Sequence, residues 1–128
     1  MEKNFESKIV ASSKELTKKE QVKLKSLDDC ISLDTAIEGH DDSLIIDLDY
    51  YAQMEVHNEN SKKDKDYTKL IMVDKNGQKY ITGSTPFIRT FMDIVEDMED
   101  SDEEWQLKCY RRPSANYQDR DFFSCSIL

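Results

Sequence analysis

Apolar and polar residues change period along this chain, most sharply across residues 66–98. Two β-rich runs, "DYTKLIMVD" and "QKYITG", flank Asn76-Gly77. That dipeptide is a strong signal for a two-residue type I′ hairpin, because both central positions need φ > 0. With such a loop Lys75 opposes Gln78, Asp74 opposes Lys79, Val73 opposes Tyr80 and Ile71 opposes Thr82. Side chains alternate across a strand. One face is therefore expected to carry Tyr67, Lys69, Ile71, Val73, Lys75, Gln78, Tyr80 and Thr82. The other, carrying Leu70, Met72 and Ile81, reads as the plain core face.

At residue 85 the period switches to that of a helix. In "STPFIRTFMDIVEDM" Thr85 suits an N-cap and Pro86 the first helical position, where a missing N–H costs nothing. Phe87, Phe91, Ile94 or Val95, and Met98 then form an apolar stripe at helical spacing. Two closing strands are expected at 105–111 and 121–127, joined by the basic loop "RRPSANYQDR".

Upstream, "LIIDLDYYAQMEVHNEN" contains an extended segment at 51–57, ended by the polar residues 58–66. Residues 17–37 read two ways. Thr17-x-x-Glu20 resembles a capping box, whereas Val22 and Leu24 alternate with charges as in a strand. A further strand is expected near 30–37, before a loop at 38–43. Residues 1–16 read as a polar lead-in, partly mobile, around Ile9-Val10. The expected architecture is mainly β (α+β): an OB-like Greek-key barrel of five to six strands, with one helix at about 85–98 before the last two strands. All of 1–128 reads as one domain, long enough to bury a core without staples.

Charge changes this picture more than bulk composition does. The net charge is −9, which argues against a surface that attracts nucleic acid everywhere. The charge is uneven, however: −7 over residues 1–60, +4 over 61–91, −8 over 92–104 and +2 over 105–128. Beyond a Debye length of about 8–10 Å, local potential outweighs the total. A polyanion-binding face must then be built from the two basic blocks. Three cysteines, Cys30, Cys109 and Cys125, fit neither a disulfide framework nor a metal spacing. They read as free thiols of a reducing cytoplasm. With no secretory h-region and no long apolar run, no membrane association is expected.

Catalysis finds no motif. His40 and His57 stand in polar surroundings, and Asp47 and Asp49 lack the glycine and terminal glutamate of a calcium loop. No P-loop, nucleophile elbow or Cys-His arrangement occurs. Neither enzyme activity nor a metal or other cofactor is expected. Non-specific single-strand binders instead need aromatic planes for bases beside ammonium groups for phosphates. Tyr67, Lys69, Lys75, Lys79 and Tyr80 supply that mixture in the hairpin, although Lys79 points away from Tyr80. Tyr110, Arg111, Arg112, Tyr117 and Arg120 repeat it in the closing pair.

Residues 44–128 resemble the small single-stranded DNA-binding proteins of protein-primed Bacillus phages. "LIIDLDYYAQMEV" is similar to the family's strand leading into an Ala-Gln-aromatic segment. "TKLIMVDKNGQKYITGS" is similar to its hairpin with a following tyrosine, and "FIRTFMDIVEDM" to its helix. "EEWQLKCYRRPSANYQDRDFFSCSIL" is similar to its basic loop and final Phe-Phe-Ser strand. The resemblance implies an OB-like protein, monomeric or weakly self-associating, that coats single-stranded intermediates of phage DNA replication in the host bacterial cytoplasm. It also implies phage replication proteins as partners, and base stacking on tyrosines, with Tyr80 on one such position. Another family aromatic falls on Met54, which removes one stacking contact.

The rival reading is an acidic phage anti-defence protein, similar to anti-CRISPR inhibitors. It would use the acids of 93–104, with those of the acidic N-terminal half, to occupy a cationic channel of a host nucleic-acid-binding protein.

Overall fold

The computed structural model describes residues 5–26, 29–41, 43–60, 65–113 and 121–128, with backbone alone at 5, 112, 113, 121 and 122. Their elements run β1 (Phe5–Ser12), α1 (Lys18–Ser26), β2 (Cys30–Ser32), α2 (Leu33–Glu38), β3 (Ser43–Ile46), β4 (Leu48–Asn58), β5 (Asp66–Asp74), β6 (Lys79–Thr82), α3 (Thr85–Met98), β7 (Leu107–Pro113) and β8 (Asp121–Ile127). The protein is mainly β. A five-stranded sheet has the order β1-β4-β5-β6-β2, and a three-stranded sheet the order β3-β7-β8.

A single residue, Asp47, separates β3 in the small sheet from β4 in the large one. The bend is pinned to the hairpin turn: Lys75 donates its backbone N–H to the Asp47 carbonyl at 3.0 Å, and its Nζ lies 3.6 Å from the Asp47 carboxylate. Both sheets thus grow from one nearly continuous stretch of chain.

The hairpin forms, but in a different register. Met72 opposes Tyr80, Ile71 opposes Ile81 and Leu70 opposes Thr82, a one-residue slip from the type I′ expectation. Asp74 is the cause. Its Oδ1 accepts from the backbone N–H groups of Asn76 and Gln78, each at 2.9 Å, and its carbonyl accepts from Gly77 at 3.0 Å. Gly77 adopts φ +86°, giving a three-residue turn with a left-handed glycine. Asn76 keeps an ordinary negative φ. Because strand period is two, one step of slip moves every partner to the other face. Tyr80 therefore joins Leu70 and Met72 in the core, 9% exposed.

Both faces of β5 are covered, so Leu70, Ile71, Met72 and Val73 are all buried. On one side lie α2, α3 and the small sheet, with Phe87, Phe91, Leu107, Cys109 and Cys125 meeting Leu70 and Met72. Tyr51 meets Phe91 edge-on with centroids 5.2 Å apart. On the other side Leu24 of α1 packs with Ala52, Ile71 and Val73, supported by Ile9 and Leu16. Each such buried aliphatic side chain contributes roughly 1.5–3 kcal/mol.

The α3 helix matches its expected span, but its cap is Ser84, whose Oγ accepts from the Phe87 N–H at 3.4 Å. The N-terminal third differs most from expectation. Residues 5–12, expected to belong to a mobile lead-in, form an edge strand on β4. The capping box is made, with Thr17 N–H donating to Glu20 Oε1 at 3.1 Å and Glu20 N–H to Thr17 Oγ1 at 3.2 Å. Of the strand expected near 30–37, residues 30–32 form β2, whereas 33–37 belong to the one-and-a-half-turn α2, which buries Leu33, Ala36 and Ile37. The chain has eight strands and three helices among the described residues, not five or six strands and one helix. No closed barrel forms among them. The free edge of β6, which a closing strand would need, is taken by the parallel strand β2.

Candidate nucleic-acid interface

The residues nominated from sequence are dispersed. Tyr80 is in the core, and burial with the nearby Asp74 charge pushes its hydroxyl pKa up. It cannot present a ring to a base. Tyr67 and Lys69 share the opposite face of β5, where Lys69 Nζ sits 5.7 Å from the Tyr67 ring centroid, within cation–π reach. Lys75 lies in the turn beside Asp47. Lys79 opposes Val73 near Cys30, on the far side of β6 from Tyr80.

In the closing pair, Arg111 points inward. It bonds Glu38 Oε1 and its guanidinium carbon lies 5.5 Å from the Phe123 ring centroid. It ties α2 to the small sheet through its pairing with Glu38. Tyr110 faces outward between Ser43 and Ser124, next to exposed Lys108 and Ile45. Arg112 continues β7, but its side chain lies outside the described residues, as do Tyr117 and Arg120. Among the described residues the two basic blocks do not converge. Tyr67 is linked through Val56 to the end of β4, whereas Tyr110 opposes Ser43 at the start of β3.

Beside Tyr67 a groove is lined by Ser7, Lys8, Lys25, Val56 and Thr68, with Glu6, Glu55 and Asp66 among its walls. His57 bridges two of the local carboxylates, Nδ1 to Asp66 at 2.6 Å and Nε2 to Glu59 at 2.7 Å. Those hydrogen bonds hold the imidazole pKa above its ordinary value, while Lys65 meets Glu59 at 3.2 Å. Among the described residues, positive charge at this end therefore partly cancels the acids instead of making a cationic track.

Two surfaces escaped the sequence reading. One is α1, where Lys18, Lys19, Lys23 and Lys25 are exposed around Val22. Its signal was the capping box, obscured by the strand-like alternation of Val22 and Leu24. The other is a groove floored by Met92, Val95, Met98 and Trp105 and rimmed by acids. Among the described residues no group of three or more His, Cys, Asp or Glu side chains could hold a metal ion. No helix among them is long and apolar enough to cross a membrane. No family model, no curated protein and no solved structure matches the chain.

Proposed function

We propose that the protein binds single-stranded DNA without sequence preference, through the outer face of the β3-β7-β8 sheet and the basic residues that follow β7 in the sequence. The observation that carries this reading is Tyr110 standing outward beside Lys108 and Ile45, with no ion pair to Lys108 among the described residues. An aromatic plane next to an ammonium group is the minimal unit of a single-strand platform. The sequence between β7 and β8, outside the described residues, adds Tyr117 and Arg120.

Chain order supports the same reading. A nearly continuous β3–β4 stretch that passes from one sheet to the other, a meander through β5 and β6, a helix, and a closing antiparallel pair follow the element order expected of an OB-like barrel, although no closed barrel forms among the described residues. Such barrels use the loop between their last two strands to hold oligonucleotides. Coating of phage replication intermediates rests on the resemblance of residues 44–128 alone. Tyr67 and Lys69 extend the contact as a second, separate patch.

The test is a titration of oligo-dT of about 20–30 nucleotides, several OB footprints long, followed by Trp105 and tyrosine fluorescence. Saturable quenching is expected, with affinity falling by about 0.7 log unit per tenfold salt for each phosphate contacted. Tyr110→Ala should weaken binding by about tenfold, since stacking is worth roughly 1–3 kcal/mol per base. No quenching at low salt, or an unchanged Tyr110→Ala titration, would sink the reading.

One observation favours the rival, an inhibitor that occupies a cationic channel. The eight carboxylates of residues 93–104 are exposed and make no ion pair among the described residues. An inhibitor keeps its activity in Tyr110→Ala and loses it when these acids are neutralised; a strand binder does the reverse.

A further inference from the structure

We propose that copies of this chain associate head to tail, with α1 of one copy seated in the acid-rimmed groove of the next. The groove lies between the C-terminal half of α3 and Trp105. Met92, Val95, Met98 and Trp105 line it with Glu96, Glu99, Glu103 and Glu104, and the start of β4 closes it with Asp49; the one cation among the described lining residues, Lys75, is paired to Asp47. An apolar floor inside an anionic rim fits an apolar side chain ringed by cations.

The chain carries that counterpart. Val22 is 66% exposed, although its neighbour Leu24 is the residue that anchors α1 to the core. On a helix, positions three and four apart share a face, so Lys18, Lys19 and Lys25 surround Val22. All three are exposed, and none makes an ion pair among the described residues. Nucleic acid would answer the lysines but leave Val22 against phosphate, whereas the groove answers both. The two surfaces are different elements, so one α1 seated in one groove leaves a free groove and a free α1, and the head-to-tail contact repeats from copy to copy.

Two copies of charge −9 repel at long range. At about 0.1 M salt, where the Debye length is near 10 Å, that repulsion is screened while touching charges still attract; at about 1 M, with a length near 3 Å, the ionic part is lost.

Sedimentation velocity on the full chain without DNA tests this independently of the DNA reading. At about 0.1 M salt, the weight-average mass should rise steadily from micromolar to sub-millimolar protein. Two variants break opposite sides, Glu99→Lys with Glu103→Lys, and Lys18→Glu with Lys19→Glu. Lysine at the end of α3 and glutamate at the start of α1 both suit the helix dipole, so both should fold. Each alone should stay monomeric. Their equimolar mixture retains one intact groove and one intact helix face, and should stop at dimer. A monomeric wild type, variants that associate like wild type, or a monomeric mixture would each overturn the proposal. A monomeric wild type whose dT titration weakens in the Lys18→Glu, Lys19→Glu variant would give the α1 face to nucleic acid instead.

Discussion

Tyr80 and Tyr110 differ by which side of a strand they leave from, and that difference separates stability from binding. Tyr80→Ala removes a ring packed on Leu70 and Met72, and should cost about 3 kcal/mol or more by chemical denaturation, as for other large core truncations. Tyr110→Ala should change stability little and act on DNA affinity. Cysteines follow the same logic. Burial pushes the Cys125 thiol pKa up to about 12 and the Cys109 thiol higher still, so neither offers thiolate at neutral pH. Cys30, half-buried, should react first with a thiol reagent, and the other two only on unfolding. His57 gives a pH signature. Its folded pKa is raised by Asp66 and Glu59, so its contribution to stability is complete below the unfolded value near 6.5 and fades as pH rises through the folded value. An NMR titration should place His57 above 6.5, and His57→Gln should flatten the alkaline side of the stability profile.

At the scale of elements, signals that are local and strongly periodic were legible. The α3 span, the existence of the β5–β6 hairpin and the extent of β8 follow from turn residues and period alone. The register did not, because two turn chemistries competed at Asp74-Lys75-Asn76-Gly77. A carboxylate that caps two backbone N–H groups outweighed the type I′ preference of Asn-Gly, and the tyrosine placed on the binding face moved into the core with it. Asp74→Ala removes that cap and should destabilise the hairpin by about 1 kcal/mol or more, read by denaturation and by hydrogen exchange of Gln78. The N-terminal third was obscure for another reason. Residues 5–12 and 33–38 are an edge strand and a short helix stabilised by β4 and the core, and such tertiary support leaves little trace in periodicity. Of the candidate site, the two basic-aromatic blocks could be seen in the sequence. Their separation could not, since it depends on the bend at Asp47 that sends β3 and β4 into different sheets.

Across the whole molecule the charge arrangement sets two opposite salt responses. The α3 helix has no acid in its first turn and no base in its last; instead Glu96 and Asp97 crowd its negative end, with Glu99 at the cap. Carboxylates there oppose the helix dipole by roughly 0.3–1 kcal/mol each at low ionic strength, and they repel one another. Folding therefore brings together charges that the unfolded chain holds apart, and added salt screens that penalty. The folded protein should grow more stable from low to moderate sodium chloride, read as a rising denaturation midpoint. Glu96→Gln with Glu99→Gln should raise the low-salt midpoint and shrink the salt response. DNA affinity should fall over the same salt range, because phosphate contacts release counterions. Loss of binding with salt cannot then be ascribed to unfolding, since the fold is strengthening as the affinity declines. A midpoint that falls with salt would mean that favourable ion pairs, not the acid run, dominate the folded state's electrostatics.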